Sequence, residues 1–112
     1  MATDLEFMEF VAEQIENAGI ITFRKMFGEY ALYSNGKVVA LVCDNKLFVK
    51  PTIKGREFIG IITEGFAYPG AKPSFLIEEK LEDREWLSEL IRITEKALPE
   101  QNLKRNVKRK IK

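Results

Sequence analysis

Apolar residues recur at helical spacing near the start of the chain: Leu5, Met8, Ala12 and Ile15, with Phe7 and Val11 widening the stripe. A period between three and four puts such positions on one side of a helix. Thr3-Asp4-Leu5-Glu6 has the form of a capping box, in which the Thr3 hydroxyl accepts from the Glu6 N–H and Glu6 reaches back to Thr3. Gly19 is the natural stop for this helix. Glu6, Glu9, Glu13 and Glu16 share another side. That stripe is either a solvated flank or a docking face for a basic partner.

The period then changes from helical to alternating. Ile20–Met26 reads as a strand, Gly28 marks a bend, and Glu29–Tyr33 reads as a second strand. Asn35-Gly36 is a strong hairpin signal, because both central residues of a type I′ turn need positive φ. Lys37–Cys43 returns as a third strand, Asp44-Asn45 turns again, and Lys46–Lys50 is a fourth. The third strand is apolar on both faces, with Val38, Ala40 and Val42 on one and Val39, Leu41 and Cys43 on the other. Both of its faces are therefore expected to be covered, by helices of this chain or by a second subunit.

Pro51-Thr52 opens a short helix that ends near Glu57, Phe58 and Ile59, and Gly60 and Gly65 break the pattern. Phe66 to Gly70 reads as a loop with aromatic anchors, and Ser74–Glu78 as a return strand. Glu82–Leu98 is the second long helix, its acidic start suited to the helix dipole and its inner stripe made of Leu87, Leu90, Ile91, Thr94 and Leu98. The predicted fold is α+β: two layers, with an antiparallel sheet (a meander plus a return strand) and N- and C-terminal helices. Residues 1–99 form the expected domain, and 100–112 a basic tail that begins after Pro99 has stopped the helix.

Composition narrows the chemistry. Apolar residues make up 46% of the 112 residues, enough for one core. There is one cysteine and no histidine. These counts exclude an internal disulfide, a Cys/His structural zinc site, and Ser-His or Cys-His catalysis. No cofactor or metal site is expected. Gly55 to Gly60 lacks the Gly-Lys-Ser/Thr ending of a phosphate-cradling loop. The carboxylates at Glu78, Glu79, Glu82 and Asp83 are read as helix-start and solubility residues rather than an acid–base pair. Cys43 reads as a small core residue; a redox role needs exposure and a cationic neighbour, and Lys46 is the nearest in sequence. Acidic residues from Asp4 to Glu16 argue against a signal peptide, and no apolar run approaches the length of a membrane span, so the expected location is the cytoplasm.

The net charge of +1 conceals a separation. All 17 acidic residues and 12 of the 18 Lys and Arg lie in Met1–Leu103, leaving that body at −5. Lys104, Arg105, Lys108, Arg109, Lys110 and Lys112 make the remainder strongly basic. These residues form a candidate phosphate-binding arm, a protein-docking segment or a solubilising tail; they lack the large anchors expected of a membrane-binding helix. Leu103, Val107 and Ile111 fall on one stripe if the tail is helical. Arg24-Lys25 followed by Met26-Phe27 is a second candidate. Either these four make a basic-aromatic contact patch, or Met26 and Phe27 enter the core and the charges line an edge.

The segment Arg24-Lys25-Met26-Phe27-Gly28-Glu29-Tyr30-Ala31-Leu32-Tyr33 closely resembles the signature of TfoX N-terminal domains. The resemblance continues through Asn35-Gly36-Lys37, Ala40-Leu41-Val42, Asp44, Leu47-Phe48-Val49-Lys50, Phe66-Ala67-Tyr68, Gly70 and Lys72, and covers Leu5 to Leu98. Glu29 and Ala31 stand where relatives often have glycine, a departure expected to alter the backbone only locally. The resemblance implies a two-layer unit with an antiparallel sheet and no catalytic residues. Full-length relatives resemble regulators of competence genes that act beside a DNA-binding transcription factor and carry a second, C-terminal domain; this chain is expected to be the N-terminal unit alone. Two function classes follow. One is a non-enzymatic regulatory protein that contacts a transcription factor, another protein or nucleic acid. The other is a homodimeric interaction module without nucleic-acid contact.

Overall fold

The computed structural model describes residues 2–99. Helix α1 spans Leu5–Gln14, followed by a single 3₁₀ turn at Glu16–Ala18. Four strands follow: β1 (Ile21–Met26), β2 (Glu29–Ser34), β3 (Lys37–Cys43) and β4 (Lys46–Val49). Helix α2 (Ile53–Ile59), the two-residue strand β5 (Glu64–Gly65), strand β6 (Ser74–Ile77), a 3₁₀ turn at Glu79–Glu82 and helix α3 (Arg84–Ala97) complete the order. All pairings are antiparallel and the sheet order is β1-β2-β3-β4-β6-β5. The fold is the predicted α+β class. The expected meander and return strand are present, and β5 adds an unpredicted outer edge. Its two residues, Glu64-Gly65, carry no alternation for a pattern to detect.

The helices cover one sheet face. Tyr30, Val42, Leu47 and Ile77 lie in one cross-strand row, and Leu32, Ala40, Val49 and Phe75 in the next. These rows meet Met8, Val11 and Ile15 from the α1 end and Leu87, Leu90 and Ile91 from α3 in one buried cluster. Alternation in β3 is broken by a bulge: Leu32 pairs with Ala40, but Tyr33 pairs with Val38, so Val39 is an extra residue. Val39 joins the core cluster, not the opposite face that strict alternation assigns to it. Leu5, expected on the inner stripe of α1, is half exposed.

The ends of the helices differ from the pattern for identifiable reasons. The N-cap of α1 is Asp4, with no side-chain cap. The Thr3 hydroxyl instead donates to Glu29 Oε1 (2.6 Å), a tertiary bond that displaces the capping box. Asp83 takes the N-cap of α3 by accepting from the Trp86 N–H (3.1 Å), so the helix expected from Glu82 begins at Arg84 and Glu82 ends the preceding 3₁₀ turn. Thr52 caps α2 by accepting from the Gly55 N–H (2.9 Å). At the far end of α3, Lys37 Nζ donates to the Glu95 and Leu98 carbonyl oxygens (2.8 and 2.9 Å) and pairs with the Glu95 carboxylate (2.9 Å). That bond set ties the Asn35-Gly36 end of the sheet to the C-terminus of α3.

Candidate functional site

The second sheet face is covered only in part. Ala31, Cys43 and Phe48 on this face are buried, while Leu41 is half-buried. The 66–70 loop stands over it, and between them lies an open groove of about 1130 Å³. Of the two expected covers, helices of this chain are not found on this face among the described residues, where the 66–70 loop stands instead. Phe66 and Tyr68, expected as loop anchors, are largely exposed and form the outer wall. Gly65, the last residue of β5, leaves no room for a side chain on this face, since a Cβ there would lie 2.9 Å from Phe48 Cε1, and this close approach lets the loop start against the face.

Three two-residue turns join β1 to β4, and all have the same backbone form. Asn35 and Gly36 have φ of 52° and 83°, as predicted for type I′, and Asp44 and Asn45 have 53° and 56°. The turn between β1 and β2 is Phe27-Gly28, with φ of 52° and 83°. Asn, Asp and Gly tolerate this region, whereas a bulky residue there is an outlier. Phe27 is moreover fully exposed, at 103% of its reference area, and Met26 beside it is 42% exposed. The reading that puts Met26 and Phe27 in the core is thereby corrected. Strand β1 ends before Phe27, and the turn throws the ring outward over the groove's rim. Arg24 and Lys25 are exposed on the adjoining strand and make no ion pair among the described residues.

The rim is held by a polar clasp. Thr3 N–H donates to the Gly28 carbonyl (3.1 Å), and the Thr3 hydroxyl contacts the Val42 carbonyl oxygen (3.2 Å) besides donating to Glu29. Glu29 Oε1 also accepts from the Asp44 N–H (3.0 Å), and Asn45 Oδ1 accepts from the Asp4 N–H (3.0 Å). One N-terminal segment thus fastens the tips of two hairpins. Sequence reading missed this role of Glu29, since a carboxylate that bridges segments far apart in the chain leaves no local period.

Cys43 lies in the groove floor, 5% exposed. Burial, with the charges of Glu29 and Asp44 nearby, pushes its thiol up to about 11. It is therefore protonated near neutrality, contrary to what a redox sensor needs. Lys46, the proposed cationic neighbour, pairs loosely with Asp44 (3.9 Å). Among the described residues, no group of three or more carboxylate, thiol or imidazole side chains is arranged to hold a metal, and no helix is long and apolar enough to cross a membrane. The carboxylates Glu78, Glu79, Glu82 and Asp83 are exposed, and Asp83 serves as the cap described above. Lys104, Arg105, Lys108, Arg109, Lys110 and Lys112 lie outside the described residues, as does the Leu103, Val107 and Ile111 stripe.

The resemblance carried by Arg24 to Tyr33 extends across the fold. The chain is 41% identical over 99 residues to the "uncharacterized 12.7 kDa protein in trpE 5′ region" of Spirochaeta aurantia, an alignment covering 88% of this chain and 86% of that protein. The model of the TfoX N-terminal domain matches residues 13–98, from the end of α1 through α3 and including the whole sheet and the Phe27 turn. This chain belongs to the TfoX N-terminal domain family.

Proposed function

We propose that the chain is a non-enzymatic regulatory protein of the cytoplasm that acts by contact with a partner protein, through the Phe27 end of the grooved face. The observation that carries this reading is Phe27. It combines a backbone conformation unfavourable for a bulky residue with full exposure of an aromatic ring. The hairpin does not need it, because Asn35 makes the same turn at the same φ. Strain and exposed apolar surface in one residue are what a contact surface uses, since aromatic side chains dominate binding energy at protein interfaces. Met26, Phe66 and Tyr68 line the same groove and are exposed too, so the patch extends beyond one side chain. Family membership supports a regulatory role of the competence type, beside a transcription factor.

The test is affinity capture from the native cytoplasm with the intact chain and with Phe27→Asn, each with and without nuclease. A protein captured by the intact chain, lost with Phe27→Asn and unaffected by nuclease is the expected result. Equal capture by both forms refutes the patch. Sedimentation of the same two proteins reads the homodimer directly: a dimer abolished by Phe27→Asn makes the partner a second copy. The charge separation favours a second reading, in which Lys104 to Lys112 bind nucleic acid with Arg24 and Lys25 assisting. Binding of duplex DNA by all six tail cations gives a slope of log affinity against log salt of about −5. Salt-insensitive binding that survives deletion of Leu103–Lys112 excludes that arm.

A further inference from the structure

Strand β1 is the edge of the sheet opposite β5, paired with β2 on one side only. The direction of its free backbone groups follows from the ladder. Asn35 N–H donates to the Ile20 carbonyl (2.9 Å), and the β1–β2 register runs unbroken from Ile21↔Ser34 to Met26↔Glu29. Hydrogen-bonded and non-hydrogen-bonded pairs alternate in an antiparallel ladder. Thr22, Arg24 and Met26 therefore bond to β2, and Ile21, Phe23 and Lys25 direct their N–H and C=O groups off the edge. No other described segment hydrogen-bonds to those groups. We propose that this edge receives an extended acidic segment of a partner protein as an added strand. The proposal rests on the protein-contact reading above and names the chemistry of the partner.

Charge selects the occupant. Arg24 and Lys25 are exposed, unpaired among the described residues and, being consecutive in a strand, on opposite faces of the sheet. A strand added beside them meets a cation on each face, so carboxylates at neighbouring positions of the incoming segment are satisfied on both sides. A second copy pairing edge to edge brings two more cations, its own Arg24 and Lys25, to a ladder in which neither β1 strand has a carboxylate to meet them; such charged edges are what natural sheets use to prevent self-association. The chain's own Lys104–Lys112 is excluded by the same sign. Ile20 at one end of the edge is 73% exposed, and Met26 and Phe27 stand exposed at the other. An apolar residue at each end of the acidic segment is thus matched, while the main chain supplies pairing affinity.

The probe is a fluorescein-labelled seven-residue peptide with leucine at each end, valine in the middle and glutamate elsewhere. Its controls are the same peptide with lysine for glutamate, and the glutamate peptide N-methylated at alternate backbone nitrogens, made in both registers. Anisotropy at low salt reads binding to the intact chain, and amide hydrogen exchange reads the site. The glutamate peptide should bind at least about tenfold tighter than the lysine peptide, and one N-methyl register should abolish binding. Exchange at the Ile21, Phe23 and Lys25 amides should slow about tenfold, with the Thr22 and Arg24 amides unchanged. Arg24→Glu combined with Lys25→Glu should reverse the peptide preference; should that variant not fold, the exchange pattern of the intact chain decides. No saturation up to about 1 mM glutamate peptide, or binding without protection of those three amides, overturns the proposal. Phe27-dependent capture with no edge protection removes this inference alone, whereas edge protection with Phe27-independent capture removes the patch alone.

Discussion

Replacing Phe27 with Asn is expected to make the protein more stable. Phe27 holds φ at 52° in a turn whose second residue, Gly28, has φ of 83°. A left-handed conformation costs an L-residue about 1–2 kcal/mol, and Asn escapes much of this. The ring is fully exposed, so its removal forfeits little buried area to set against that relief. The net expectation is a gain of about 1 kcal/mol, or about 4 °C in Tm for a domain of this size. The reciprocal change supplies the control. Asn35 has the same φ of 52°, and its Oδ1 accepts from the Ile20 N–H at 2.9 Å. Asn35→Phe adds the strain and removes the acceptor, and should cost about 2 kcal/mol. Urea unfolding of both variants reads the difference in midpoint at constant slope. A Phe27→Asn protein no more stable than the parent would show that the ring packs within the fold, and the argument for an exposed, strained contact residue would fail.

Lys37→Met should destabilise by about 2 kcal/mol, because one half-buried ammonium caps two α3 carbonyls and pairs with Glu95; an unchanged urea midpoint refutes that anchoring role. Thr3→Val keeps the shape but removes the hydroxyl that serves Glu29, Val42 and the Asn45 N–H, and should cost about 1–2 kcal/mol, with faster exchange at the Asp44 and Asn45 amides as the local sign. Cys43 should alkylate slowly with iodoacetamide at pH 8, since a thiol held near 11 is about 0.1% thiolate there, and the rate should still be rising above pH 10; a plateau near pH 9 refutes the shift. Glu29→Gln removes one of the charges that raise the thiol and should move that profile towards lower pH.

The elements visible in the sequence are those whose signal is local. Asn35-Gly36 specified its turn because the required φ values and the residue types coincide at two adjacent positions. The inner stripe of α3 was legible because burial there follows the helical period through Leu87, Leu90, Ile91 and Thr94. Thr3 misled because a capping box and a hydroxyl that bonds Glu29 have the same sequence, and only the fold brings residue 29 within reach. The bulge at Val39 was hidden because its neighbours are apolar as well, so one extra residue leaves the hydrophobic pattern intact. Of the two readings of Met26 and Phe27, the one that buries them fails because the ring stands on a turn and not on a strand. Its neighbour Gly28 carried the opposite signal, since Phe27-Gly28 occupies the two-residue gap between strands that Asn35-Gly36 fills next door.

Exposure alone does not distinguish Phe27 from Ile53 or Ile61, which are also open to solvent. The difference lies in what holds the side chain. Phe27 sits between a six-residue ladder on one side and, through the Gly28 carbonyl, the Thr3 N–H on the other. A strained backbone persists where its surroundings over-determine it, and this pairing together with the Thr3–Glu29–Asp44 bonds does so here. The backbone under the ring is therefore fixed before any partner arrives, and binding has only side-chain freedom left to lose, so less of the contact energy goes into ordering it. The same rigidity extends to β1, whose outward N–H and C=O groups are set in line by the ladder with β2. A partner that lies along β1 and reaches the turn meets a preformed strand edge and a preformed aromatic at one corner of the sheet. The cost of that arrangement falls on stability, which is why the Phe27→Asn measurement and the capture experiment should move in opposite directions.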